Sequence, residues 1–279
     1  MISIVISYTE AAFEVVAQQA AQELNLPLIL DSHNLLDQPS SFQSDSSVDQ
    51  AKEQFVLHFG SKGLTLMCRE SNSFTSVRCD FTSGANRHRM HHGGGNGQAI
   101  AKAVGISGKF APLVLDLTAG MGADAFVLAT LGCQLRLLER HPIIYKLLED
   151  GLSRAAVEAE TDPQLAAILD RINLVKIDSG CYLDALEQSD CPDVIYIDPM
   201  FPPRKKSAKV KKTMQAFHKL VGSDDDSAGL LEKSLAKARY RVVVKRPSHA
   251  DFLACAKPSY SLKGKSTRFD IYTLKKLPG

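Results

Sequence analysis

The sequence predicts an α/β protein. Its main part is a mostly parallel sheet of seven strands closed by an antiparallel hairpin, and a small α+β domain precedes it. Three observations carry this reading. From Pro112 onward, short apolar runs alternate with longer segments of helical spacing, the pattern of a parallel sheet wrapped by helices. The first of these runs leads into a glycine turn that opens a helix, Thr118-Ala119-Gly120-Met121-Gly122. A later run, Val194-Ile195-Tyr196-Ile197, stops abruptly at Asp198-Pro199-Met200-Phe201-Pro202.

Ile2 to Ile6 reads as a strand, Ala11 to Leu24 as a helix with Thr9 or a neighbour as its cap, and Leu28 to Leu30 as a second strand, together a small βαβ unit. The serine-rich stretch 40–47 reads as a loop. Phe55–Phe59 and Leu64–Cys68 flank Gly60-Ser61-Lys62-Gly63, a hairpin signal, and Val77–Phe81 is expected to add a strand. Nothing in residues 1–85 assembles a catalytic set, so this part is read as accessory and residues 86–279 as the functional domain. Arg87 to Gly97 combines bases with glycines and suits either a loop over a ligand or phosphate, or a linker. Gln98–Val104 follows as a short helix.

The expected strands of the main sheet are Leu113–Leu117, Gln134–Leu138, Ile172–Lys176, Asp193–Ile197 and Arg241–Lys245. Asp124–Leu131, Pro142–Ala159, Cys181–Leu186 and Ala228–Ala238 are the expected helices. Tyr260–Leu262, Gly264 and Phe269–Leu274 read as the closing hairpin.

Composition narrows the function classes. With 44% hydrophobic residues, 279 residues readily build a packed core. No apolar run reaches membrane-spanning length and Met1 to Leu30 lacks a basic leader, so a soluble cytoplasmic protein is expected. The six cysteines show no metal-ligand spacing, and no metal site is expected. The net charge of +2 conceals a division. Residues 1–85 carry 4 Lys/Arg against 10 Asp/Glu, and residues 86–279 carry 29 against 21. The basic part suits a polyanionic partner.

Gly120-x-Gly122-x-x-Ala125 satisfies a loose dinucleotide fingerprint, and Glu139 ends the next strand where it can meet ribose hydroxyls. This alone fits either a nicotinamide cofactor or S-adenosylmethionine. Charge separates the two. Asp116 and Asp124 bracket the turn and would repel a pyrophosphate, whereas a sulfonium and an α-amino group are drawn to them. At ~4 Å and an effective dielectric of ~20, each such pair is worth about 4 kcal/mol as an upper guide. Asp178 and Ser179 follow the third strand, placed to reach an adenine amine, to cap the next helix, or both.

In open α/β sheets, ligands bind at the carboxyl ends of strands. There Asp198 offers a carboxylate, Pro199 a carbonyl held by its ring, and Phe201 a flat aromatic face. The set suits a planar base with an exocyclic amine. The run after it holds Arg204, Lys205, Lys206, Lys209, Lys211 and Lys212 without an acid, and is read as phosphate-binding beside the site. Lys245, Arg246, Lys263, Lys265 and Arg268 are expected to extend that surface.

Taken together, Asp116, the Gly120/Gly122 turn, Glu139, Asp178 and the Asp198–Phe201 turn resemble a Rossmann-like class I S-adenosylmethionine-dependent methyltransferase. The last turn is similar to the motif of enzymes that methylate exocyclic amines, with Met200 in place of the usual second proline. Further blocks narrow the resemblance to the ribosomal RNA small subunit methyltransferase J family. They are His91 to Gly97 with Ala101 to Gly105, Asp116 to Ala129, Leu138-Glu139-Arg140, Tyr196 to Pro202, Val242 to Pro247, and Arg268 to Tyr272. The resemblance covers residues 86–279 well and the start only loosely. It implies methylation of guanine N2 at position 1516 of 16S rRNA, with free rRNA or the small ribosomal subunit as partner. It also implies cofactor contacts at Ala123 and Asp124, Glu139 and Arg140, near Asp178 and Ser179, and at Asp198. An arginine is common in that family where Ala123 stands, so a contact from Ala123 is through its backbone. Other readings from the same residues are an amine methyltransferase acting on another RNA, DNA or a protein glutamine, and a non-catalytic RNA-binding assembly factor.

Overall fold

The computed structural model describes residues 2–30, 53–70, 73–83, 98–200, 220–221 and 227–278. Two compact units meet in the sequence between Cys79 and Asp80. In the first, β1 (Ile2–Tyr8) lies between β2 (Leu28–Leu30) and β3 (Glu53–Phe59), parallel to both. β4 (Thr65–Glu70) and β5 (Ser73–Val77) continue the sheet antiparallel. α1 (Glu14–Leu24) connects β1 to β2 after a 3-10 turn at Ala11–Phe13. Its N-terminus has no side-chain cap, so Thr9 does not play that part. The helix closes on Asn25, left-handed at φ 51°, whose N–H reaches the carbonyls of Ala21 and Gln22. The strand expected at Val77–Phe81 lies earlier, because Val77 is the last residue of β5. Phe81 instead belongs to the second unit, stacked on Phe126 with centroids 5.0 Å apart.

The second unit begins its regular structure with α2 (Ala99–Val104) and β6 (Leu113–Asp116). There follow α3 (Ala123–Thr130), β7 (Gln134–Glu139), α4 (Pro142–Ala159), α5 (Pro163–Leu169) and β8 (Ile172–Lys176). α6 (Ser179–Ala185), β9 (Val194–Ile197), α7 (Ser227–Lys237) and β10 (Arg241–Pro247) come next. β11 (Tyr260–Lys263) and β12 (Thr267–Thr273) end the sheet. The strand order is β11-β12-β10-β9-β6-β7-β8. β8, β7, β6, β9 and β10 run parallel, and β12 enters antiparallel between β10 and β11. This is the seven-stranded, Rossmann-like sheet with a terminal reversed hairpin that the alternation of elements predicted.

The helix α5 was not anticipated. Asp162 caps it, accepting from the N–H groups of Gln164 and Leu165, and Pro163 fills its first position.

The sheet is apolar on both faces, as a doubly covered parallel sheet must be. All four residues of β9 are buried, and Leu115, Ile195, Ile197, Val242 and Val244 pack with Leu183, Leu230 and Leu231 from the covering helices. The order reverses at β6: the chain goes to β7 and β8 on one side, then returns to β9 and β10 on the other. The carboxyl ends of β6 and β9 therefore lie side by side at a switch point, where open sheets bind ligands.

Candidate active site

The two strand ends at the switch point are stitched together by backbone and by one threonine. The Leu117 N–H donates to the Tyr196 carbonyl at 3.0 Å. The Asp198 N–H donates to the Thr118 hydroxyl at 2.7 Å. Thr118 in turn directs its own N–H and its hydroxyl to Oδ1 of Asp116, at 2.9 and 3.4 Å. Asp116 is thus fixed at the end of β6 with only 3% of its surface exposed.

Beyond it the chain turns through Gly120 (φ 54°) and Gly122 (φ 69°), a left-handed region that side-chain-bearing residues rarely adopt. At Gly122 space forbids a side chain as well: an added Cβ would stand 2.8 Å from Cδ1 of Leu148 and 3.0 Å from Cζ of Phe81. At Gly120 the nearest atom would be 3.8 Å away, so the backbone there is open to approach. Glu139, at the end of β7, holds this turn in place. Its Oε2 accepts the Gly120 N–H at 3.0 Å and its Oε1 the His141 N–H at 2.7 Å. Both oxygens face the glycine turn and the start of α4, the edge at which a ribose would lie.

Gly122 also starts α3, which places exposed Ala123 and then Asp124 at the helix mouth. Oδ2 of Asp124 receives the Tyr196 hydroxyl at 2.6 Å and the Lys245 ammonium at 2.7 Å. The same ammonium reaches Oδ2 of Asp198 at 2.8 Å. Lys245 can do this because β10 lies parallel beside β9 with Val244 opposite Ile197, so the residue after each pair emerges at the same edge. Burial pulls the Lys245 ammonium toward losing its proton, but the carboxylates of Asp198 and Asp124 outweigh it and hold its pKa above the usual range. Burial and the neighbouring carboxylates of Asp124, Asp198 and Asp116 push the Tyr196 phenol up, so it serves as a donor.

Asp178 and Ser179 close the site's other side. Asp178 caps α6, accepting the Cys181 N–H at 3.0 Å, and stands 3.4 Å from Arg140. That N–H, aided by Arg140, holds its carboxyl below the ordinary value despite some burial. Ser179 is buried and donates its hydroxyl to the Leu117 carbonyl at 2.6 Å, a tie between α6 and the end of β6. Its hydroxyl proton is therefore engaged within the fold.

The geometry gathers Asp116, Gly120, Gly122, Ala123, Asp124, Glu139, Arg140, Asp178, Ser179, Asp198 and buried Pro199 at the carboxyl edge of one sheet. Phe201 and the basic residues Arg204, Lys205, Lys206, Lys209, Lys211 and Lys212 lie outside the described residues, as does the glycine-rich stretch 87–97. One expectation fails. Lys245, Arg246 and Arg268 do not extend a basic surface. Lys245 turns to the two aspartates, Arg246 donates twice to the Asp251 carbonyl, and buried Arg268 pairs with buried Asp270 through both carboxylate oxygens. Lys263 and Lys265 are exposed. Thr118, Tyr196 and Lys245 were missed as site residues. A basic residue one step past the apolar run Val242-Val243-Val244 was the available signal for Lys245.

Three carboxylates at strand ends, Asp116, Glu139 and Asp198, thus stand with that of Asp124 from the first turn of α3, and Lys245 is set between Asp124 and Asp198. That donor set fits a ligand bearing a sulfonium and an amino group, with Glu139 oriented for hydroxyls and Gly120 open to close approach.

Comparison with known proteins agrees with this chemistry. A family model for SAM-dependent methyltransferases matches residues 42–274. Ribosomal RNA small subunit methyltransferase J of Cellvibrio japonicus is 49% identical over 267 residues, covering 95% of this chain and 96% of its own. The protein of the same name from Stutzerimonas stutzeri is 47% identical over 268 residues, covering 95% and 93%. The crystal structure of a SAM-dependent methyltransferase from Neisseria gonorrhoeae is similar with a TM-score of 0.64 at 34% identity, over 96% of this chain and 95% of that one.

Proposed function

We propose, for a chain that belongs to the SAM-dependent methyltransferase family of the ribosomal RNA small subunit methyltransferases J, that it methylates the exocyclic N2 of a guanine, at position 1516 of 16S rRNA. The coarser activity, methylation of small-subunit rRNA with S-adenosylmethionine as cofactor, follows from the family. The choice of an exocyclic amine is carried by one observation. Asp198 stands at the switch point with its backbone fixed by Thr118 and its carboxylate held by Lys245, directly before a buried proline.

When bound, S-adenosylmethionine supplies an electrophilic methyl group on a positively charged sulfur. Asp116, Asp124 and Glu139 would hold it, with the Gly120–Gly122 backbone beside it and Asp178 at the far edge. Guanine N2 is a poor nucleophile because its lone pair is delocalised into the ring. Asp198 and the Pro199 carbonyl accept hydrogen bonds from N2, which favours a pyramidal nitrogen and fixes its direction. The base leaves its stack to enter, at a cost of a few kcal/mol. Stacking on Phe201, worth ~1–3 kcal/mol, offsets part of that. The run Arg204 to Lys212 binds the neighbouring phosphates.

Single-turnover transfer of labelled methyl to small-subunit rRNA, free or in the subunit, tests the assignment. Asp198→Ala should lower the rate by at least ~100-fold with the melting temperature preserved. Asp198→Asn should retain part of the rate, because its amide oxygen still accepts one N–H. Near-normal transfer by Asp198→Ala would reduce the turn to a structural feature.

A further inference from the structure

Lys245 has no part in the reading above beyond holding Asp198, yet its geometry reaches further. Its ammonium spans two carboxylates that come from different elements, Asp124 from the first turn of α3 and Asp198 from the end of β9. The two contacts, 2.7 and 2.8 Å, are both charge-assisted hydrogen bonds of short length. The lysine side chain is only 26% exposed, so solvent screens this bridge less than it would a surface pair. The bridge engages one oxygen of Asp124 and leaves the other for a ligand. Oδ2 of Asp124 is filled by Lys245 and Tyr196, whereas its Oδ1 accepts no hydrogen bond among the described residues.

We propose that Lys245 is a positioning residue for methyl transfer: its ammonium clamps the substrate-side carboxylate of Asp198 to the cofactor-side carboxylate of Asp124, so that one cation couples the orientations of the two. This rests on the assignment of Asp198 to the target amine and Asp124 to the cofactor. Two consequences of opposite sign follow. Without the ammonium, Asp198 loses its charge-assisted tie to Asp124, and its alignment on the amine is degraded. Without it, too, the cofactor side of the site gains net negative charge, which favours a cationic ligand. A lysine that only braced the fold would weaken both functions together.

The test uses the full chain, with Lys245→Met to remove the charge at similar length and Lys245→Arg to restore it. Three quantities are read: the melting temperature, the affinity for S-adenosylmethionine by calorimetry, and the single-turnover rate on small-subunit rRNA at saturating cofactor and RNA. Lys245→Met should lower the rate by ~100-fold, the scale of a misplaced reacting group. Its affinity for S-adenosylmethionine should be equal or higher. Lys245→Arg should recover most of the rate. A Lys245→Met rate within threefold of normal overturns the proposal. So does a fall in rate matched by a fall in cofactor affinity and melting temperature, or a Lys245→Arg protein as slow as Lys245→Met. If Lys245→Met unfolds, the comparison of Lys245→Arg with Lys245→Gln decides, the glutamine keeping a hydrogen-bond donor without the charge: equal rates overturn it. Nucleosides from the wild-type reaction are identified in parallel. A methyl group away from N2 then rejects the amine reading, while the split between rate and affinity still judges the clamp.

Discussion

Asp116 is the residue on which the site's electrostatics press hardest. Burial, with the carboxylates of Asp124 and Asp198, pushes its carboxyl up to about 7, against the Thr118 N–H and the Lys245 ammonium, which pull it down. The unfolded chain releases that proton near 3.8, so between the two values the folded protein holds a proton the unfolded one has lost. Stability from this proton is complete below the unfolded value and is lost as pH rises through the folded one. Thermal melts of wild type and Asp116→Asn from pH ~5 to ~8 should therefore diverge, with wild type losing up to a few kcal/mol relative to the variant. Parallel pH dependences would show that Asp116 is ionised throughout. Gly122 makes a second residue-scale case, one of shape. Its left-handed backbone and the crowding by Leu148 and Phe81 together exclude a side chain, so Gly122→Ala should cost ~1–3 kcal/mol in a denaturant melt. An unchanged midpoint would mean that the turn relaxes freely.

At the scale of elements, α6 is fastened by its first two residues. Asp178 caps it and Ser179 ties it to the Leu117 carbonyl. Asp178→Ala should cost about 1 kcal/mol of stability, and Asp178→Asn much less, because asparagine caps as well. The Arg140 pair, with both side chains about 40% exposed, adds little. Equal melting of all three proteins would remove the cap from the account. The elements were legible in the sequence wherever period and punctuation agreed. The strands of the main sheet and α4 were recovered because short apolar runs were bounded by charged residues, Gly or Pro, and α4 opened on Pro142. α5 was overlooked because its seven residues are too few to display a period, although Asp162-Pro163 carried its start signal. β5 was displaced because the apolar pair Cys79 and Phe81 is buried outside any strand. The site shows the same division. Asp116, Glu139, Asp178 and Asp198 announced themselves by standing where an apolar run ends. Lys245, Tyr196 and Thr118 did not, because their roles depend on which strands are neighbours. Strand order is a property of the whole sheet, and no local pattern encodes that β10 lies next to β9.

For the molecule as a whole, the division of charge matters most. Residues 86–279 carry the excess of Lys/Arg, and the clustered carboxylates Asp116, Asp124, Glu139 and Asp198 all belong to that part of the chain. Among the described residues no helix is long and apolar enough to cross a membrane. Converting Lys205, Lys206, Lys211 and Lys212 to Ala should leave cofactor affinity unchanged and weaken RNA binding. The salt dependence of that binding should flatten by roughly one unit per lost phosphate contact. An unaltered slope would leave those lysines as a solvated face. The central claim concerns the atom that is methylated, and one measurement addresses it directly. Small-subunit rRNA is methylated by the purified protein with S-adenosylmethionine, digested to nucleosides and resolved by mass spectrometry against standards, with fragment mapping to locate the guanine. The account predicts N2-methylguanosine at position 1516 and no other new modification. A methyl group on a ring nitrogen, on a ribose or on a different base would contradict it.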